Sequence, residues 1–224
     1  MNKIVIFDWG GVIAHKYPII NNDKEAIIRV IKSFNNNLSD EEAWDVYIDT
    51  LKDEFGVYIS KQNDTESKIK WVERIKKRGK FDTTFEEFQS KYIQEYLKVG
   101  YYKEVVEYIY SLKGKCKIGI FSDLIYISYP TLNKQVDLSQ FDYVWLSYQT
   151  HLRKDTEEAF NLVQRDTNAL PEDILFIDDT AKNIEIAKNI GWNTCQACGY
   201  ELDKIKEAVN EFLEQNIKQE KTRS

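Results

Sequence analysis

The amino-acid sequence predicts an α/β protein: a parallel β-sheet with helices on both faces, interrupted after its first strand by a long helical insert. The apolar run Ile4–Phe7 is too short for a helix and ends at Asp8 and a glycine pair, as expected of a buried strand. Strand-like and helical patterns alternate from Lys115 onward, which indicates right-handed crossovers between parallel strands. Residues 15–114 show only helical patterns. The first strand must therefore join the sheet across this insert.

The helices of the insert begin at recognisable signals. Ser39 with Glu42, and Thr84 with Glu87, each match the capping box, in which a hydroxyl and a glutamate satisfy backbone N–H groups at a helix start. Gly114 is expected at the C′ position that ends the last helix. We predict five helices, over Asp23–Phe34, Asp40–Glu54, Thr65–Arg78, Phe85–Leu97 and Lys103–Leu112.

Large apolar side chains recur at helical spacing within the insert. They include Trp44, Tyr47, Ile48 and Leu51, and then Phe85, Phe88, Tyr92, Ile93 and Tyr96. Such a stripe is typical of a face that packs against other helices, so we interpret it as the core of a small bundle and not as a ligand cage.

The second half of the chain completes the sheet. Apolar runs predict strands that end at Phe121, Leu146 and Ile177, followed by a short strand over Thr194–Ala197. The helices between and after them are predicted at about Tyr126–Gln135, Thr156–Asp166, Ala181–Ile190 and Glu201–Gln215.

Composition limits the classes of partner. The 224 residues can bury one large core or two modest ones, and the formal net charge is −6. Because neither a basic run nor a basic half stands out, we expect no nucleic-acid partner and no anionic membrane partner. No apolar run has the length of a membrane span, and the chain starts with a strand instead of a leader peptide, so a cytoplasmic protein is expected. We expect a monomer or a homodimer.

The three cysteines predict no disulfide framework and no zinc site. A zinc site needs four ligands, and the two histidines, His15 and His151, are not spaced to complete one with the pair Cys195 and Cys198. We interpret all three cysteines as reduced structural thiols.

Polar side chains follow four of the predicted strands. Asp8 follows the first, Ser122 and Ser147 follow the next two, and Asp178 with Asp179 follows the fourth. Parallel strands present their carboxyl ends at one edge of a sheet, where open α/β folds bind ligands. The sequence therefore predicts a single site at that edge.

The residue types at this edge indicate phosphoryl transfer. The carboxylates of Asp8, Asp178 and Asp179 repel one another unless a cation lies among them, and oxygen ligands favour Mg²⁺. Lys154 and the Ser122 hydroxyl would complete a pocket for an anion. A nucleophilic carboxylate, a metal, a cation and a hydroxyl together are the parts needed to form and hydrolyse an aspartyl-phosphate.

The order of these motifs resembles the haloacid dehalogenase (HAD) superfamily, in the subgroup with a helical cap after the first motif. The matching segments are Phe7–Val12, Phe121–Asp123, Ser147–Lys154 and Phe176–Asp179, and Asn183, Ala187, Gly191 and Trp192 continue the last of them in the spacing of the capped subgroup. The resemblance implies a Rossmann-like core of five parallel strands in the order 5-4-1-2-3. The core would comprise residues 1–14 and 115–224, and the cap residues 15–114.

The resemblance also implies a role for each residue. Asp8 would be the nucleophile and a metal ligand, Asp178 a metal ligand, and Gly10 a ligand through its backbone carbonyl. Ser122 would hold a phosphoryl oxygen and Lys154 would balance the negative charge. Asp179 would be an auxiliary acid that orders Lys154. These roles describe a Mg²⁺-dependent phosphatase of a small phosphorylated metabolite, in particular a sugar phosphate.

One departure from the family pattern leaves alternatives open. The second aspartate of the D-x-D motif, which in this family protonates the leaving group, is Gly10 here. We therefore expect a preference for aryl or anomeric phosphates, unless Asp123 or His15 supplies the proton. The alternatives are a 2-haloacid dehalogenase with Asp8 as nucleophile, and a weakly active binding or regulatory protein.

Overall fold

A five-stranded parallel sheet forms the centre of the molecule. The computed structural model describes residues 3–223, with side chains to residue 215. The strands are β1 Ile4–Phe7, β2 Lys117–Ser122, β3 Tyr143–Leu146, β4 Ile174–Asp178 and β5 Asn193–Gln196. Their order across the sheet is β3-β2-β1-β4-β5. All four neighbouring pairs are parallel, so the predicted fold class and strand order are confirmed.

Helices cover both faces of the sheet. Those of the insert are α1 Asp23–Phe34, α2 Asp40–Ile48, α3 Thr65–Gly79, α4 Phe85–Tyr96 and α5 Lys103–Ser111. Those of the second half are α6 Tyr129–Gln135, α7 Ser147–Thr150, α8 Glu157–Thr167, α9 Ala181–Asn189 and α10 Leu202–Arg223. Val5 and Phe7 point to the face covered by α5 and α10, whereas Ile4 and Ile6 point to the face covered by α8 and α9. This alternation follows from the two-residue period of a strand.

The insert has its own apolar core. Helices α1 to α4 pack around buried residues that include Val30, Trp71, Ile75 and Phe88. Both capping boxes are present, with Glu42 accepting a bond from the Ser39 N–H at 2.8 Å and Glu87 one from the Thr84 N–H at 2.9 Å. By contrast, α5 packs its buried residues into the cluster on the sheet.

Two helix ends differ from their predictions. Helix α2 ends at Ile48 and not at Glu54, because the Thr50 hydroxyl donates to the carbonyl groups of Val46 and Tyr47 and a turn begins at Asp53. Helix α5 ends at Ser111, and Gly114 lies beyond its C′ position with a φ of 81°. The glycine therefore serves the turn before β2 and not the helix end.

Two helices differ from the predictions in extent or existence. Helix α7 was not predicted, and α10 continues to Arg223, past the predicted end at Gln215. Within the described residues, no helix is both long enough and apolar enough to cross a membrane.

Candidate active site

Strand register brings the predicted acids together. Phe7 pairs with Ile177 of β4 on one side and with Ile120 of β2 on the other. Asp8 and Asp178 are the next residues along their strands, so their side chains leave neighbouring strand ends at the same level. Asp8, Asp178 and Asp179 each offer a carboxylate oxygen, and the three oxygens lie within 4.8 Å of one another.

Lys154 lies between two of these carboxylates. Its Nζ is 2.5 Å from Asp8 Oδ1 and 2.7 Å from Asp178 Oδ2. All three residues are buried. Removing charged groups from water is costly unless they are paired, so Lys154 compensates the acids that it contacts. The predicted association of Lys154 with Asp8 and Asp178 is present in the structure.

Further donors fix the two carboxylates. Asp178 accepts hydrogen bonds from the Thr180 N–H at 2.7 Å and from Asn183 Nδ2 at 3.0 Å. Asp8 Oδ1 accepts from the Trp9 N–H at 2.7 Å, in addition to its contact with Lys154. No described residue donates to Asp8 Oδ2, so this is the oxygen of Asp8 that remains available to react.

Asp179 has a different partner from the expected one. It binds Lys16, whose Nζ lies 2.9 Å from Oδ2 and 3.2 Å from Oδ1, and it accepts a hydrogen bond from the Thr180 hydroxyl. The expectation that Asp179 orders Lys154 is therefore wrong: Asp8 and Asp178 hold that lysine. Lys16 lies in the loop after β1, where no sequence motif drew attention to it.

The loop that carries Lys154 is held by Asp123 and Arg153. Asp123 Oδ1 accepts a hydrogen bond from the Lys154 N–H at 3.0 Å, and Asp123 Oδ2 lies 3.1 Å from Arg153 Nη2. Arg153 also donates to Ser60 Oγ at 2.6 Å and stacks over the Tyr58 ring at 4.1 Å. A segment of the insert is thus bound to the loop that carries Lys154.

Burial and neighbouring charges shift the pKa values of Asp8 and Lys154. Burial raises the pKa of Asp8 to about 7, and Asp178 adds to this effect while Lys154 opposes it. For Lys154, burial works against ionisation, but the charges of Asp8 and Asp178 outweigh it and raise the pKa. Asp8 and Lys154 thus share a site that is buried from water and also holds a second carboxylate, Asp178.

The donor set fits a hard divalent cation. Three carboxylates face two lysines, Lys154 and Lys16, so the cluster carries a net negative charge and offers only oxygen ligands. The carbonyl of Gly10 receives no hydrogen bond from any described residue, which leaves it available as a further ligand. That Asp8, Asp178 and the Gly10 carbonyl hold Mg²⁺ stays a prediction, and this donor set fits it.

A cavity of about 250 Å³ lies beside this cluster, between the sheet edge and the insert. Its floor is formed by Trp9, Gly10, Ser122, Asp123 and Arg153. Trp9 and Gly10, which follow the predicted nucleophile Asp8 in the chain, border the cavity, whereas Asp8 itself does not line it. The structure places Ser122 in this floor, as the last residue of β2. Ser147 does not join the site, since its hydroxyl is hydrogen-bonded to the backbone of Leu124.

The insert supplies the walls of the cavity with aromatic and polar groups. Tyr47, Leu51, Tyr92 and Tyr96 line it, although we had interpreted their stripe as packing alone. All four also belong to or pack against the apolar core of the insert, so the predicted bundle core is confirmed and the same side chains border the cavity. The remaining wall residues from the insert and the loop before it include Asp23, Tyr58, Ser60 and His15. Sequence periodicity places such side chains on one helix face but does not reveal which of them border an empty space.

Gly10 has room for a side chain. A Cβ atom at Gly10 would have no neighbour within 4 Å, and the backbone of Gly10 is not in the left-handed region. The adjacent Gly11 differs, because its φ is +85° and a Cβ atom there would lie 2.6 Å from the Asp179 carboxylate. Of the glycine pair, only Gly11 is required by the geometry.

Fold and site define a class: α/β proteins whose functional carboxylates follow neighbouring parallel strands and share a buried lysine. Comparison with known families then identifies the family. Residues 5–197 match the haloacid dehalogenase-like hydrolases, and the chain belongs to this family.

Individual relatives agree with this assignment. The chain is 28% identical over 210 residues to a D-ribitol-5-phosphate phosphatase of Bacteroides thetaiotaomicron, with 88% of this chain and 92% of the relative covered. A HAD family enzyme from the same organism, solved with magnesium and inorganic phosphate, superimposes with a TM-score of 0.66 at 18% identity, covering 86% of this chain and 92% of that one. L-2-haloacid dehalogenase from Xanthobacter autotrophicus gives a TM-score of 0.60 at 15% identity, with coverages of 87% and 76%.

Proposed function

We propose that this protein is a Mg²⁺-dependent phosphatase of a small phosphorylated metabolite, acting through an aspartyl-phosphate on Asp8. The observation that carries the proposal is the buried contact of Lys154 with both Asp8 and Asp178, within a cluster of three carboxylates. The names of the related enzymes support the same reaction class.

Asp8 Oδ2 is the oxygen that attacks phosphorus. The new bond from Oδ2 to phosphorus forms as the bond from phosphorus to the substrate oxygen breaks, and the alcohol leaves. Water then attacks the phosphorus of the aspartyl-phosphate, which releases inorganic phosphate and restores the carboxylate. Trp9 and Lys154 bind Oδ1 during this cycle and keep the carboxylate in one orientation.

The other residues bind and orient the phosphoryl group. The charge of Lys154 balances the negative charge that the phosphoryl group adds, and the Ser122 hydroxyl donates to a phosphoryl oxygen. Mg²⁺, held by Asp8, Asp178 and the Gly10 carbonyl, would supply a fixed positive charge that lowers repulsion between nucleophile and phosphate. Asp179, held by Lys16, maintains the negative field that favours the cation.

The insert acts as a cap in this proposal. Residues 15–114 would form the cap and residues 1–14 with 115–224 the core, and the walls of the cavity come from cap and core alike. Within this range α5 packs on the sheet, so the part of the cap that covers the site is α1 to α4 with the segment around Tyr58. A cap that closes over the site excludes water from the reaction.

The cavity suits a small polyhydroxylated substrate. Its volume of about 250 Å³ lies near the lower end of ligand sites, and hydroxyl, carboxylate, amide and guanidinium groups line it beside tyrosine rings. We propose a sugar or polyol phosphate as the substrate class, in line with the D-ribitol-5-phosphate phosphatase among its relatives.

A panel of phosphorylated metabolites, assayed with and without Mg²⁺, tests the proposed function. We predict that Asp8→Asn abolishes turnover and leaves the circular dichroism spectrum unchanged, because the amide is nearly isosteric but is a poor nucleophile. Near-normal activity of Asp8→Asn would refute the mechanism. Halide release from 2-chloropropionate in EDTA would identify a dehalogenase instead. Phosphate binding without any phosphoryl-enzyme would indicate a binding or regulatory protein.

A further inference from the structure

A phosphatase of this kind needs a proton donor that the cluster itself does not provide. When the leaving group is an alkoxide, a positioned acid contributes a factor of about 10²–10⁴ in rate. Asp8 is the nucleophile in the proposed function, and Asp178 and Asp179 are held by Lys154 and Lys16. Gly10, which borders the cavity, has no side chain to offer.

Two other carboxyl groups line the cavity, and only one is free of a cation. Asp123 Oδ1 accepts a hydrogen bond from the Lys154 N–H and Asp123 Oδ2 pairs with Arg153, so each of its oxygens already has a partner. Asp23, the first residue of α1, accepts a hydrogen bond from the Lys24 N–H at 2.9 Å, and no described lysine, arginine or histidine lies within ion-pair distance of it. It borders the same cavity as Gly10.

We propose that Asp23 is the general acid and base of the reaction, reaching from the insert into the space left open by Gly10. This inference rests on the proposed phosphatase function. In the first step the carboxylic acid of Asp23 gives its proton to the leaving oxygen as the bond from that oxygen to phosphorus breaks, and a neutral alcohol departs. In the second step the Asp23 carboxylate takes a proton from the attacking water as phosphate is released from Asp8.

The surroundings of Asp23 favour this role. Burial raises the pKa of Asp23, which keeps more of it protonated than an exposed carboxyl would be. The Lys24 N–H and Lys16 from the loop after β1 lower the pKa of Asp23, and Asp179 from the sheet edge raises it. Burial and, beyond it, Asp23 raise the pKa values of Tyr47 from α2 and of Tyr92 and Tyr96 from α4. Since α1 belongs to the insert, the acid would be in place only when the insert covers the site.

The test compares leaving groups in the Asp23→Asn variant of the full chain, with Mg²⁺ present. Glycerol phosphate has a poor leaving group that needs the proton, whereas p-nitrophenyl phosphate has a good one. We expect kcat/KM, which reports the departure of the leaving group, to fall about 100-fold or more for glycerol phosphate and to change less than about threefold for p-nitrophenyl phosphate. An enzyme with Gly10 and no other acid should show a rate that depends steeply on the leaving group. This steep dependence should therefore appear in Asp23→Asn and not in the wild type.

Two further variants sharpen the test. Gly10→Asp in the Asp23→Asn background places a carboxyl group in the same space and should restore glycerol phosphate hydrolysis at least tenfold. His15→Asn is the matched control from the same cavity, and its effect should be equal for the two substrates. His15 Nδ1 lies 3.1 Å from the Ile20 carbonyl oxygen, which ties the ring to its own loop.

Each outcome decides the proposal. An equal loss of kcat/KM on both substrates in Asp23→Asn would mean that Asp23 has a binding or structural role. A selective loss of kcat/KM for glycerol phosphate in His15→Asn would assign the proton to the histidine. Either result overturns the inference. In both of these cases the wild type would still hydrolyse the two substrates through a phosphoryl-enzyme. Failure of the proposed function is distinct, because the wild type would then hydrolyse neither substrate. Thermal unfolding of each variant checks that the fold is retained.

Discussion

Asp178→Asn should remove the stabilisation of the folded protein by Mg²⁺. The substitution keeps the shape of a fully buried side chain and can still accept hydrogen bonds at one oxygen. It removes one of the three negative charges that attract the cation and one of the proposed ligands. The substitution also changes the contact with Lys154 and therefore the stability of the metal-free protein. For this reason the increase in melting temperature on adding Mg²⁺ is compared, and not the melting temperature itself.

The expected size of the effect follows from mass action. A ligand that binds only the folded state at about 100 times its dissociation constant adds about 2.7 kcal/mol to the free energy of unfolding. For a chain of this length each kcal/mol shifts the melting temperature by about 2–4 °C, so Mg²⁺ should raise that of the wild type by about 5–10 °C. Asp178→Asn should retain less than about a quarter of this increase.

The assay is thermal unfolding across a Mg²⁺ titration, followed by circular dichroism. Asp203→Asn is the matched control, because it makes the same chemical change at an exposed residue in the first turn of α10. The control should keep the full increase. An equal increase in Asp178→Asn and the wild type would refute the ligand assignment, and no increase in the wild type would refute the metal site itself.

Two further predictions concern stability. Gly11→Ala should destabilise the protein by about 1–2 kcal/mol and lower its activity, because alanine is strained at a positive φ and its Cβ atom would collide with the Asp179 carboxylate. Gly10→Ala should be neutral or slightly stabilising. Urea unfolding of both variants measures the difference. Glu95→Gln should cost about 2 kcal/mol at neutral pH, and the loss should vanish as the pH falls towards 2. Burial opposes ionisation of Glu95, but its pKa is lowered to about 2 by hydrogen bonds from Lys98, Lys91 and Arg29. A carboxyl group with a lowered pKa stabilises the fold at pH values above its ordinary pKa. The difference in free energy of unfolding between Glu95→Gln and the wild type, measured by urea unfolding at several pH values, should therefore shrink in acid. A difference that stays constant with pH would indicate an effect on packing instead.

The parts of the site that sequence could predict are those fixed by strand register. Asp8 and Asp178 follow strands that are neighbours in the sheet, and in parallel strands the residue after each apolar run reaches the same edge. The short apolar runs and the acids that end them were therefore sufficient to place these two residues together. The capping boxes of α2 and α4 were predictable for a similar reason, because they depend on residues three positions apart.

The parts that sequence could not predict depend on how loops and helices meet. Lys16 binds an acid 163 positions away, and nothing in the spacing of the two residues indicates that contact. Tyr92 and Tyr96 share their helical stripe and their apolar core with Phe88, which does not line the cavity. Only the placement of the insert over the sheet edge determines which rings border the cavity. Asp23 was missed for the same reason, since at a helix start an acid is ordinarily favoured by the helix dipole.

The bridge through Arg153 links the position of the insert to the chemistry at the sheet edge. Ser60 and Tyr58 hold one side of this guanidinium, and Asp123 holds the other. Asp123 in turn accepts the N–H of Lys154, whose side chain contacts Asp8 and Asp178. A movement of the insert away from the sheet would break the hydrogen bond to Ser60 and the stacking on Tyr58, which hold the residue before Lys154. The position of the insert over the cavity and the placement of Lys154 therefore depend on the same set of contacts.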